Sequence, residues 1–282
     1  MGKMPRVQVR GDMENGVPRF CNIAFGLLRK SDLFSREAGE MKCIVTMNAQ
    51  LIVIANTDRR FMDFANRHYA TFDGEIPLRC ARRHDRNFAS AEKISGSDLI
   101  YDFCQYAKEN GMRLFLLGGS AQANEISVRL LAERYGIPVA GFSPDFEDYP
   151  FSESFLEASR KKIATFRPDI LFVGFGAPKQ EFFIDDNADF LQSCGVKFAV
   201  GCGGTFDFVS GLLPRAPAFV QRLGLESVFR FFSEISWMRF QRIVYSCRFF
   251  RYITHEPAFM NGEECRMIGT SRIAKTTCRR QI

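Results

Sequence analysis

The sequence predicts an α/β fold, a mostly parallel sheet with helices on both faces, followed by a helical basic appendage. Three observations carry this. Between residues 41 and 211, short apolar runs alternate with longer stretches of helical period, the order of parallel strands joined by crossover helices. Several of those runs end in glycine-rich turns, at 118–120, 174–176 and 201–204, where a strand feeds the next helix. From Arg215 the alternation stops. Residues 215–252 read as helices with no strand between them, and carry seven arginines, no lysine and ten aromatic residues.

Taken in order, residues 1–40 give no firm assignment beyond a short apolar patch at 20–28. Residues 43–47 are β-like, 57–69 have helical period, and 70–72 form a brief strand ending at Asp73-Gly74. Residues 97–109 form a helix through Leu99, Ile100, Phe103, Tyr106 and Ala107, stopped by Gly111. A strand at 113–117 enters Gly118-Gly119-Ser120, and 121–135 follows as a helix. Strand 139–142 and helix 152–166 come next. Strand 169–175 ends near Gly176, and helix 178–192 has Pro178 in its first turn. Strand 197–200 ends in Gly201-Cys202-Gly203-Gly204. The chain thus divides into an N-terminal segment 1–40, a Rossmann-like core 41–211, an appendage 212–252 and a polar tail 253–282, expected to be poorly ordered.

The 282 residues have a net charge of +6, with 46% hydrophobic and 25% charged side chains, a composition that excludes wholesale disorder. The charge is not evenly spread. Residues 1–210 carry 26 basic and 27 acidic side chains, whereas 211–282 carry 12 and 5. The basic end predicts an anionic partner. The longest uncharged stretch, 43–57, falls short of the ~20 residues of a membrane span, and the charged N-terminus reads as no signal peptide. Nine scattered cysteines without a CxxC pair read as reduced cytosolic thiols. His68, His84 and His255 are too dispersed for a zinc site. The expectation is a cytoplasmic protein with no metal and no cofactor. No nucleic-acid recognition motif accompanies the basic end, so nucleic acid is not an expected partner.

Parallel sheets bind ligands at the carboxyl ends of their strands, and the polar residues there are the candidates. In 201–207, paired glycines allow a ligand close to the backbone, a helix start offers N–H groups to a phosphate, and Thr205 is placed to cap that helix. The alternative is a tight turn with an N-cap. Gly118-Gly119-Ser120 is a weaker case of the same kind, and neither matches a dinucleotide fingerprint. Asp73, at a strand end, faces the crevice as a possible general base; the alternative is a turn-forming Asp-Gly. Gly174 to Glu181 presents Lys179, Gln180 and Glu181 at a helix start, where Glu181 has a plain reading as a dipole-favouring acid and Gln180 as an exposed helix residue. Thr46 and Asn48 bracket Met47, with capping as the alternative. The arginines suit diphosphate and the interleaved aromatics a lipid-headgroup interface; a solvated face or a subunit contact is the other reading, which leaves a homo-oligomer open.

Together these segments resemble the WecG/TagA/CpsF glycosyltransferases (glycosyltransferase family 26). The matching text is Thr46-Met47-Asn48, Asp73-Gly74, the 95–99 run Ser-Gly-Ser-Asp-Leu, and Leu116-Leu117-Gly118-Gly119. It continues with residues 168–181, ending Pro178-Lys179-Gln180-Glu181. It closes with Gly203-Gly204-Thr205-Phe206-Asp207-Phe208, Arg215-Ala216-Pro217 and Leu223-Gly224-Leu225-Glu226. The resemblance covers roughly residues 40–252.

The resemblance implies a metal-free, inverting transfer of a sugar, N-acetylmannosamine, N-acetylmannosaminuronic acid or a related one, from a UDP-sugar to a polyprenyl-diphosphate-linked saccharide. It implies Asp73 as the base on the acceptor hydroxyl and Gln180 as a contact to the reacting sugar or nucleotide. Thr46, Asn48, Lys93, Gly118, Gly119, Lys179 and Asp207 are implied as substrate-binding positions, and Gly203, Gly204 and Thr205 as a diphosphate turn. Arg215, Arg222 and Arg230 are the appendage cations to meet leaving-group charge, with the appendage against the anionic inner face of the membrane. Lys93 stands where the family commonly has Arg, and Ser227 follows Glu226 where Trp is usual. The alternative is a nucleotide-binding, membrane-peripheral protein without turnover. A chain ending near Gly211 is expected to stay folded but lose transfer and vesicle binding.

Overall fold

The computed structural model describes residues 16–34, 41–223, 226, 229 and 237–258. Its centre is a six-stranded, all-parallel sheet in the order β4-β3-β8-β7-β5-β6. The strands are β3 (Lys42–Met47), β4 (Tyr69–Phe72), β5 (Leu114–Gly118), β6 (Val139–Phe142), β7 (Ile170–Gly174) and β8 (Phe198–Gly201). In register, Ile44 faces Tyr69 and Val200, and Leu114 faces Val139 and Ile170. The four central strands are apolar at nearly every position because both faces are covered. Side chains alternate between faces. Val45, Leu117, Val173 and Ala199 pack with α1 (Ala49–Thr57), α2 (Arg59–Arg67), α6 (Glu153–Phe166) and α7 (Lys179–Asp186). Ile44, Leu116, Phe172 and Val200 pack with α4 (Gly96–Asn110), α5 (Ala121–Tyr135) and α9 (Thr205–Val209).

The sequence reading matches most of these elements, and α5 and β6 to the residue. Four differences have physical causes. The helical stretch read at 57–69 is α2, started by Asp58, whose Oδ1 accepts from Phe61 N at 3.1 Å, while α1 ahead of it occupies the apolar stretch left unassigned after residue 47. The helix read at 178–192 breaks at Asn187 into α7 and α8 (Ala188–Ser193). There the Asn187 side chain donates to Phe183 O at 2.7 Å, competing with the helical ladder. Residues left unassigned after Asp73 form α3 (Glu75–His84), with Gly74 at its N-cap. The patch at 20–28 is a two-stranded hairpin, β1 (Arg19–Phe20) and β2 (Ile23–Ala24). Its Phe20 and the following Phe25 are buried against Phe72 and Phe88.

The appendage does not hang from the core. α10 (Ala218–Leu223) lies near α3, and α11 (Trp237–Cys247) lies along α1. A 3-10 turn over Arg248–Ile253 then drives Phe249 and Tyr252, 2% and 6% exposed, into the α1 side of the core. Beyond it, Ala258 N donates to Asn56 O at 2.9 Å. Asn22 Nδ2 reaches both His255 O at 3.0 Å and Asn56 Oδ1 at 2.8 Å. One buried asparagine on α1 therefore joins the N-terminal hairpin to the C-terminal end. Residues 259–282 and most of the 224–236 stretch lie outside the described residues. Among the described residues, no helix is long and apolar enough to cross a membrane.

Candidate active site

The connection from β5 leads outward to β6 and that from β7 leads back to β8, with α5 and α7 on opposite faces. That reversal makes the β5/β7 boundary a topological switch point, the place where such sheets open a crevice. A cavity of about 320 Å³ lies there, within the range of small-ligand sites. Gly118, Gly119 and Lys179 line it, with Phe146, Phe151 and Phe175 as aromatic walls. Gly119 has φ +72°, and a Cβ on it would stand 2.8 Å from the Phe206 ring, so only glycine fits. Lys179 is buried. Its Nζ donates to Glu147 O at 2.9 Å, stands 3.5 Å from Asp148 Oδ1 and lies 3.9 Å from the Phe146 ring centroid. Burial lowers its pKa, against the opposing pull of Asp148.

From the cavity the carboxyl edge runs through β7, β8 and β3 to β4, three spacings or about 14 Å at ~4.8 Å per strand. Asp73 stands at the far end, its backbone N–H on Met47 O at 3.0 Å, next to Asn48, the residue that follows the neighbouring strand β3. Asn48 Oδ1 accepts from Leu51 N at 3.0 Å and caps α1. Thr46 is buried, its hydroxyl 3.3 Å from Gly201 O.

Two expectations for the 201–205 turn are corrected. Gly204, not Thr205, occupies the N-cap of α9, and Thr205 Oγ1 donates to Cys202 O at 2.7 Å. The turn's N–H groups are also not all open to a phosphate. Gly203 N donates to Gln180 Oε1 at 2.9 Å and Thr205 N to Cys202 O at 3.2 Å.

Gln180 is buried rather than an exposed helix residue, and Glu181 beside it is 1% exposed, not a surface acid at a helix start. Gln180 Nε2 donates to Glu181 Oε1 at 2.7 Å, whereas Glu181 Oε2 is buried with no hydrogen-bond partner among the described residues. Burial raises the Glu181 pKa from 4.5 to about 7, with the Gln180 hydrogen bond only partly offsetting it. The folded state therefore holds this proton more tightly than the unfolded chain does. It loses stability as pH rises from about 4.5 to about 7, by about 3 kcal/mol for a shift of this size. Glu181→Gln is expected to remove that slope in thermal melts across the window; identical pH slopes in the two proteins would show that Glu181 does not titrate there.

The appendage closes the edge by two ion pairs. Lys93 Nζ, beside β4 through a bridge to Phe72, binds Glu226 at 3.0 Å. Arg215 Nη1 binds Asp98 Oδ1 at 2.7 Å at the start of α4. Burial raises the Asp98 pKa, but hydrogen bonds from Arg215 and Ser95 outweigh it and hold the carboxyl below its usual value. Arg215 Nε is buried with no hydrogen-bond partner among the described residues. Asp207 is half-buried in α9, with its carboxylate near Gly204. Arg222 lies in α10, and Arg230 lies outside the described residues. Among the described residues, no group of three or more His, Cys, Asp or Glu is placed to hold a metal ion.

Thr46, Asn48, Asp73, Lys93, Gln180 and the 203–205 turn thus share one edge, with Gly118, Gly119 and Lys179 at its cavity end. The sequence reading missed the burial of Glu181, because an acid in the first turn of a helix has a sufficient local explanation. It also missed the Phe146 and Phe151 walls, which come from the loop after β6.

The sequence model described as Glycosyl transferase WecG/TagA/CpsF family matches residues 26–261. A protein of Staphylococcus aureus (strain MRSA252), named N-acetylglucosaminyldiphosphoundecaprenol N-acetyl-beta-D-mannosaminyltransferase, is 29% identical over 74% of this chain and 78% of its own length. The protein of the same name from S. aureus (strain NCTC 8325 / PS 47) is 28% identical over the same shares. With the family match spanning the whole sheet, its carboxyl edge and the appendage, the chain belongs to the WecG/TagA/CpsF glycosyltransferase family.

Proposed function

We propose that this glycosyltransferase moves an N-acetylated hexosamine or related sugar from a UDP-sugar to a polyprenyl-diphosphate-linked saccharide, with inversion, in cell-surface polymer synthesis. The observation that carries the reading is the line from the β5/β7 cavity to Asp73. An aromatic-walled cavity suits a nucleotide base, and about 14 Å of strand edge suits an extended sugar nucleotide ending beside a carboxylate. The names of the S. aureus relatives support the acceptor class and the N-acetylmannosaminyl group.

In this reading the Asp73 carboxylate takes the proton of the acceptor hydroxyl as that oxygen bonds to the anomeric carbon. The bond from that carbon to the diphosphate oxygen breaks on the opposite side, UDP leaves, and the configuration inverts in one displacement. The departing charge is met by cations and N–H dipoles along the edge. Arg215, whose Nε has no partner among the described residues, Lys93 and Lys179 are described cations there. Phe219, Leu223, Phe240, Val244 and Phe250 of the appendage are each at least 44% exposed, which supports an anionic membrane surface as the partner of that face.

A panel of UDP-sugars offered with vesicles carrying N-acetylglucosaminyl-diphosphoundecaprenol tests this. UDP release is expected only when one donor and the acceptor are both present. UDP binding without release for every donor would instead assign a nucleotide-binding protein without turnover.

A further inference from the structure

We infer that Glu181 is a positioning residue of the transfer site, fixing the Gln180 amide and, through it, the glycine turn that follows β8. This rests on the proposed function for its catalytic consequence, though not for its geometry. Glu181 lies against the carboxyl end of β8, buried rather than at the surface of α7. A Cβ built on Gly201, the last residue of β8, would stand 2.8 Å from Glu181 Oε1 and 2.7 Å from Gln180 Nε2. The two side chains are therefore pressed against the strand end, and the glycine there makes room for them.

A primary amide has a donor end and an acceptor end of nearly the same shape, so its partners decide which way it points. An ionised carboxylate only accepts. At 2.7 Å it draws Gln180 Nε2 to itself, which turns Gln180 Oε1 toward Gly203 N at 2.9 Å. That bond holds Gly203 in its left-handed conformation, φ +53°, in the turn between Thr46 on one side and α9 on the other. A protonated Glu181 can present an O–H as well as a carbonyl oxygen to the amide, so its hold on Nε2 weakens and the Gly203 N–H is left to fix Oε1. The unpartnered, buried Oε2 leaves ionisation costly, consistent with titration near neutrality. The titratable groups around it do not relieve this. Cys43 on β3 and Cys202 in the turn interact with it electrostatically, Asp185 and Arg67 bear on the same Cys43, and Asp207 bears on the same Cys202.

The test uses the full chain as wild type, Glu181→Gln and Glu181→Leu. In protein carrying 15N-glutamine, the Gln180 side-chain amide signal, assigned by its loss in Gln180→Ala, is expected to move with pH around 7 in wild type. It is expected to be pH-independent and displaced in Glu181→Gln. In the transfer assay, Glu181→Leu is expected to lower kcat roughly 10- to 100-fold, the loss of one buried hydrogen bond, with the KM for the donor little changed. Glu181→Gln is expected to recover part of that loss, with an activity profile lacking the wild-type inflection near pH 7. A Gln180 signal unmoved by Glu181→Gln, or wild-type kcat in Glu181→Leu, would overturn the inference. Wild-type protein silent on every donor would sink the proposed function instead, and the amide signal would still decide the role of Glu181.

Discussion

Asp73→Asn is expected to lower the rate of sugar transfer by roughly 10²- to 10⁴-fold, the range over which a positioned general base acts. The substitution keeps the size and shape of the side chain and removes its capacity to take a proton. The backbone at residue 73 is held independently of the side chain, by the bond from its N–H to Met47 O at 3.0 Å and by Gly74 at the N-cap of α3. The fold and melting temperature should therefore be close to wild type. UDP binding should be preserved as well, because the cavity walls belong to β5, β7 and the loop after β6, three strands away. Transfer assays beside calorimetric UDP binding separate these effects. An Asp73→Asn protein turning over at the wild-type rate would remove Asp73 from the role of base.

Ending the chain at Gly211 is expected to abolish transfer and to disrupt the fold, a larger effect than its basic composition suggests. The removed segment carries Phe249 and Tyr252 out of the core, uncovers α1 along the length of α11, and breaks the bond from Ala258 to Asn56. Truncating one buried aromatic side chain costs ~3–5 kcal/mol, and a domain of this kind has only ~5–15 kcal/mol in total. Phe249→Ala alone should lower the melting temperature by several degrees. Arg215→Ala, at the carboxyl edge, should leave the melt nearly unchanged and reduce transfer. A cooperative, wild-type melt for the chain ending at Gly211 would show that the appendage is not part of the core, as the sequence by itself suggests.

The difference between those two views shows what a sequence reading reaches. The strands β5, β7 and β8 are legible because burial on both faces makes them short and wholly apolar, and the glycines after them mark the carboxyl edge. α1 is not legible. Residues 51–57 are all buried, so the helix has no polar stripe and reads as a continuation of the apolar run of β3. The path of the appendage is not legible either, since nothing local in Phe249 or Tyr252 tells a membrane-facing aromatic from one driven into the core 200 residues away in sequence. In the site, Asp73, Gln180 and the glycine turns are visible as polar or flexible residues at strand ends. The burial of Glu181 is not, because an acid in the first turn of a helix has a sufficient local explanation. Only the crossing of α7 against the end of β8 shows that it is held away from water. The same crossing explains why the N–H of Gly203 is engaged by Gln180 instead of being open to phosphate.

The most direct measurement of the central claim is the mass of the lipid acceptor after incubation with protein and donor. With N-acetylglucosaminyl-diphosphoundecaprenol in vesicles and the full panel of UDP-sugars, wild-type protein is expected to add one sugar residue from one donor, and Asp73→Asn to leave the acceptor essentially unchanged over the same interval. An acceptor of unchanged mass with every donor, in the presence of folded protein that binds UDP, would contradict the account.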